Sequence, residues 1–161
     1  MRFRIDNALN DSVSGARERE WQLSLTELNY ETDGEPPTLR LVRRKDGGVD
    51  VHVLSRDPSA TGPNETLIGV VAFGHNLLKP HFRSYRRVIE QLVHSTATGT
   101  RQMETLDYAK KLVHDEAGEM VQGTLKGQLP IEHGLARRLF TLIFLICNEL
   151  PAALVTRHRH G

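Results

Sequence analysis

The chain has one cysteine, Cys147, among 161 residues. An intrachain disulfide is excluded, and so is a metal site built on paired cysteines. Cys147 stands inside an apolar run and reads as a small buried hydrophobe, not a reactive thiol. Aromatic residues are scarce at 6%, and 21 Lys plus Arg nearly balance 20 Asp plus Glu. A nucleic-acid module relying on a broad basic field and stacking side chains is not expected; such binding would need a local patch. The chain also lacks a Gly-x-x-x-x-Gly-Lys phosphate loop, a Gly-x-Gly-x-x-Gly turn and a Gly-x-Ser-x-Gly nucleophile elbow, so no cofactor is expected. No apolar run reaches the roughly 20 residues of a membrane span. Met1-Arg2-Phe3-Arg4 lacks the apolar core of a secretory signal, and a cytoplasmic location follows as the expectation.

What the chain does have is Leu139 to Cys147, where only Thr141 is polar. A helix here is apolar on every side and must be surrounded, while Thr141 can return its hydroxyl to the helix backbone. Asn148, Glu149 and Pro151 close the run. The segment reads as the central helix of a core, Phe144 included. Length fits one domain over 1–150, followed by a basic tail over 151–161 that ends in Arg157-His158-Arg159-His160.

The remaining pattern predicts an α+β domain: a small antiparallel sheet packed against an N-terminal helix and a C-terminal three-helix half. Phe3 and Ile5 alternate with charged residues, as in a short edge strand. Ser14 can cap a helix over Ala16 to Tyr30, with Trp21, Leu25 and Leu28 along one stripe and Trp21 as its anchor. Strands follow over Thr38 to Arg44 and Val49 to Leu54, and Lys45-Asp46-Gly47-Gly48 carries the chemistry of a tight hairpin. Arg56 to Glu65 reads as a loop. Thr66 to Phe73 is a third strand whose nearly continuous apolar run predicts an inner position, or one cramped at Gly69. Pro80 suits the first turn of a helix carrying Phe82, Tyr85, Ile89 and Leu92, and after a break at 96–100 Met103 to Met120 mark another helix ending near Gly123 to Gly127.

Within the C-terminal half, Leu106-Asp107-Tyr108-Ala109-Lys110-Lys111-Leu112-Val113-His114-Asp115-Glu116, then Leu125-Lys126-Gly127 and Ala136-Arg137-Arg138-Leu139-Phe140-Thr141-Leu142-Ile143, form a recognisable set. It resembles a bacterial uncharacterised protein family, number two-six-two, most closely over Lys79 to Cys147. The chain departs from the family's pattern at Leu112, Asp115, Ala117 and Gly134. The resemblance implies a cytoplasmic single domain and transfers no activity.

Two groups of residues are candidate sites. His114, Asp115, Glu116 and Glu119 are the densest titratable cluster, and acid/base or metal chemistry needs such groups to converge. On a helix Asp115 and Glu119 share a face, whereas His114 and Glu116 diverge by about 200 degrees around the axis. A salt-bridged helix face with a half-buried His114 explains the same residues. Arg83, Arg86 and Arg87 on one helix, with Arg137 and Arg138 at the start of the last, form a candidate binding surface; alternatively Arg137 and Arg138 pair with carboxylates such as Glu116 or Glu119. The expected function is a non-enzymatic binding or regulatory domain, acting through a partner protein or as a homodimer with part of the last helix facing the second subunit. A metal-dependent hydrolase using His114, Asp115 and Glu116, and a weak nucleic-acid binder using the five arginines, are the alternatives.

Overall fold

A computed structural model describes residues 1–6, 15–32, 37–56, 65–94 and 100–148. In chain order the elements are β1 (Arg2–Asp6), α1 (Gly15–Glu31), β2 (Thr38–Arg43), β3 (Val49–Arg56), β4 (Glu65–Phe73), α2 (His75–His94), α3 (Thr100–Leu125) and α4 (His133–Cys147). This is the expected α+β class. The Trp21 side chain, most of the segment preceding β4 and the basic tail lie outside the described residues.

The β2–β3 hairpin follows directly from its turn residues. Arg44 and Gly48 close it through Arg44 N–H donating to the Gly48 carbonyl at 2.9 Å, and Gly47 takes φ +95°, a conformation open to glycine at little cost. Asp46 accepts from the Gly48 N–H at 2.8 Å, and this bond is the main reason its carboxyl is held below the usual range. Strands β2, β3 and β4 form an antiparallel meander. β1 joins β2 in parallel, Phe3 opposite Leu39, so the whole sheet is mixed, in the order β1-β2-β3-β4. Parallel neighbours need a crossover, and α1 supplies it.

The border at β1 is occupied by α1. The Asn29 side-chain amide accepts from the Phe3 N–H at 2.7 Å and donates to the Phe3 carbonyl at 3.1 Å. Thr32 adds a hydroxyl bond to the Met1 carbonyl at 2.7 Å. Backbone groups that would otherwise point off the sheet are thus satisfied within the chain.

The opposite border is β4, and here the expectation of an inner strand is corrected. β4 pairs only with β3 among the described residues, and Leu67, Ile68 and Val70 are half-exposed at 50%, 52% and 49%. Its apolar run is continuous because an extra residue interrupts the register: Val53 faces Gly69 while Leu54 faces Leu67, so Ile68 bulges out. The second expectation, a cramped Gly69, matches the packing, since a Cβ there would lie 2.4 Å from the Gln128 side chain.

One face of the sheet, with Phe3, Leu39, Leu41, Val51 and Phe73 at 1% exposure or less, packs under the helices. Above it α4 is enclosed. Leu139, Phe140 and Leu142 to Ile146 are all buried, and Phe144 meets Phe82 and Tyr85 edge-on at 5.6 and 4.8 Å. The face of α4 expected to remain free for a second subunit is therefore filled by this chain. α2 begins at His75, five residues before Pro80, with Leu77 and Leu78 donating to the Gly74 carbonyl. Pro80 falls inside the helix and forfeits one backbone bond there. Among the described residues no helix is long and apolar enough to cross a membrane.

Candidate functional site

α3 and α4 approach each other closely at Gly118, where a Cβ would lie 2.6 Å from Arg137 Cγ and 3.2 Å from His133 Nε2. The small residue admits both long side chains of α4 to the surface of α3. His133, one turn before Arg137, donates from Nε2 to the Asp115 carbonyl at 3.1 Å. Arg137 Nε stands 3.0 Å from Asp115 Oδ1. The angle is not that of a hydrogen bond, so the contact is electrostatic and the Nε–H stays buried without an acceptor.

His114 is the centre of this cluster. Its Nε2 lies 2.9 Å from the Arg137 carbonyl, which can only accept, so Nε2 carries the proton. Thr141 Oγ1 is also 2.9 Å from Nε2 and itself reaches the Arg137 carbonyl at 3.3 Å. Nδ1 is the bare nitrogen and faces Arg137 Nη2 at 3.3 Å. The ring is packed against Tyr85 and Phe140, with centroids 5.4 and 6.1 Å away. Burial pushes the imidazole pKa down to about 4, its bond to the Arg137 carbonyl resists, and the charges of Arg137 and Lys110 lower it further. Lys110, one turn before His114, is itself 3% exposed. Tyr85 is shifted the other way: burial raises its phenol, against the pull of a hydrogen bond with Thr141.

The four-residue acidic and imidazole candidate therefore divides. Asp115 pairs with Arg137 and acts on His114 only as a weak attraction, while Glu116 and Glu119 are exposed. Glu116 acts at a distance on His81, whose pKa partial burial lowers and Glu116 raises. Among the described residues no three His, Cys, Asp or Glu side chains are grouped closely enough to hold a metal ion. The five arginines divide too. Arg137 reaches α3, where its carboxylate partner is Asp115, not Glu116 or Glu119. Arg138 lines a cleft of about 160 Å³ between α1 and α4, together with Ser24, Glu27, Leu28 and Thr141. Arg86 pairs with Glu90 at 3.0 Å on α2, and Arg83 and Arg87 are exposed on the same helix. The cleft is about half the volume at which pockets for drug-sized ligands begin.

Tyr85, Thr141, His133 and Lys110 also belong to the cluster; the sequence marks Tyr85 and Thr141 only as parts of helices and does not mark His133 or Lys110 as site residues. Gly118 is the signal that could have found them, because a small residue inside an amphipathic helix marks a close approach, and His133 and Arg137 are spaced four apart to flank it. The sheet's outer face carries a second polar set: Arg4, Arg40 and His52 lie in one cross-strand row that ends at Val70. Arg40 bonds His52 Nδ1 at 2.8 Å, and Arg4 reaches Glu65 on β4 at 2.5 Å.

These features define a two-layer α+β domain in which the densest polar cluster binds helix to helix. The chain belongs to the Uncharacterised protein family (UPF0262), whose pattern matches residues 4–148. Among relatives, it is 30% identical to a UPF0262 protein of Sphingopyxis alaskensis over 115 residues, 71% of this chain and 66% of that one. It is 29% identical to one of Novosphingobium aromaticivorans over 118 residues, 73% and 70% of the two chains. It is 35% identical to one of Methylobacterium radiotolerans over 65 residues, 40% and 41% of the two. The chain thus spans from about two fifths to seven tenths of the length of these curated relatives. No solved structure matches it.

Proposed function

We propose that the chain is a non-enzymatic cytoplasmic binding or regulatory domain whose docking surface is the β4 border of the sheet, its partner being another protein or a second copy of itself. The observation that carries this reading is the row of half-exposed Leu67, Ile68 and Val70 on a border strand. Three large apolar side chains side by side in water favour an interface. The polar cluster supports the same reading from the other side. A general base near neutral pH needs a free nitrogen, whereas His114 gives Nε2–H to Arg137 and faces a cation at Nδ1.

The test uses the full purified chain immobilised in native lysate beside two variants. Ile68→Lys is expected to lose what the wild type retains, and His114→Gln to keep it. A hydrolytic activity of the purified chain that vanishes in His114→Gln at unchanged melting temperature refutes the reading in favour of an enzyme.

A further inference from the structure

We propose that β4 pairs antiparallel with β4 of a second copy, joining two four-stranded sheets into one of eight. This rests on the reading of β4 as the docking surface and commits that surface to one occupant.

A border strand leaves backbone N–H and C=O groups pointing away from the sheet at alternate residues, and the occupant that satisfies such a row is another strand. Charge selects which strand. From Thr66 to Phe73 there is neither a charged residue nor a proline. A phosphate backbone or an acidic peptide finds no cation along this stretch. An identical strand meets no like charge, and its backbone donors are intact along the whole length. Antiparallel pairing about a two-fold axis also sends the two Glu65 residues to opposite ends. The Glu65 carboxylates are already engaged within their own sheets by Arg4 and Thr38, so they bring no repulsion to the contact.

The bulge adds to the apolar content of the contact. In a regular strand Leu67 and Ile68 would face opposite sides, and one of them would turn toward the helices. Here both are half-exposed, with Val70 following. Nine residues extend about 30 Å, so two single strands joined edge to edge make a long but narrow contact. A contact this narrow belongs with weak, transient associations, so the dimer is expected to form with rising concentration and not to persist on dilution.

Sedimentation equilibrium of the full chain, from micromolar to millimolar concentration, tests this. The wild type is expected to pass from monomer to dimer. Ile68→Lys places a charge on an already exposed site, so its melting temperature should be unchanged while self-association weakens by about tenfold or more. Leu112→Lys, at an exposed position on α3, should dimerise like the wild type. A wild type that stays monomeric throughout overturns the proposal, as does Ile68→Lys dimerising normally. A chain ended at Asn148 that dimerises when the wild type does not also overturns it, because the border is then filled by residues 149–161. If the wild type is monomeric but Ile68→Lys still loses a protein captured from lysate, the docking surface stands and the second copy is wrong.

Discussion

Acid should destabilise this domain through one imidazole, and the size of the effect can be worked out. His114 titrates near 4 in the folded chain, against about 6.5 when unfolded. A base whose pKa is lowered by folding binds more protons unfolded than folded between those two values. Its contribution to stability is therefore complete above pH 6.5 and fades as the pH falls toward 4. With these two pKa values, acidifying from pH 7 to pH 4.5 costs about 2 kcal/mol through this residue alone. The groups around the ring do not offset that cost. Arg137 and Lys110 are cations, Tyr85 and Thr141 are neutral, and Asp115 supplies only the last-ranked attraction. Urea denaturation at a series of pH values measures it, with His114→Gln as the reference. The Gln amide can still donate to the Arg137 carbonyl but does not titrate. Carboxylates such as Asp46 lose stability in acid equally in both proteins, so the difference between the two curves isolates His114. That difference should shrink by about 2 kcal/mol from pH 7 to pH 4.5. Parallel curves would show that the imidazole is not held neutral by its surroundings, and the account of the α3–α4 cluster would fail with it.

Two further expectations concern the core and the β1 border. Phe144→Ala removes a ring packed edge-on against Phe82 and Tyr85 and should cost about 3 to 5 kcal/mol in urea denaturation; a loss well below 1 kcal/mol contradicts its place in the core. Asn29→Ala strips the Phe3 amide and carbonyl of their side-chain partners, at about 1 to 3 kcal/mol. Hydrogen exchange of the Phe3 N–H should quicken accordingly, and unchanged protection would mean that something else covers that border.

Much of the fold was legible because its signals are local. Asp46-Gly47 specifies its turn within four residues, and Leu139 to Ile146 announces burial by having no polar side to show. What could not be read depends on partners distant in the chain. Periodicity places Phe3 and Ile5 on a strand without saying that β1 lies parallel to β2, although the order strand, helix, strand permits it. The run from Leu67 to Phe73 suggested two covered faces because a bulge and an open border leave the same composition as an inner strand. At the candidate site, helical spacing already separated Glu116 from His114. It could not show that Arg137 would choose Asp115, since that depends on how Gly118 lets α4 settle against α3. Pro80 misled by one turn, because a proline after the first turn of a helix costs one backbone bond and the packing of Leu78 and Phe82 tolerates the loss.

The Asn29 amide on Phe3 also limits how large any assembly can grow. A sheet with two free borders can lengthen without end, each added copy presenting the next sticky rim. Here Asn29 of α1 and Thr32 just after it already hold the Phe3 and Met1 backbone at one rim, which leaves growth to the other side. If β4 pairs with a second copy, that symmetric pair leaves no open rim for a third, and the expected product is a closed particle instead of a fibre.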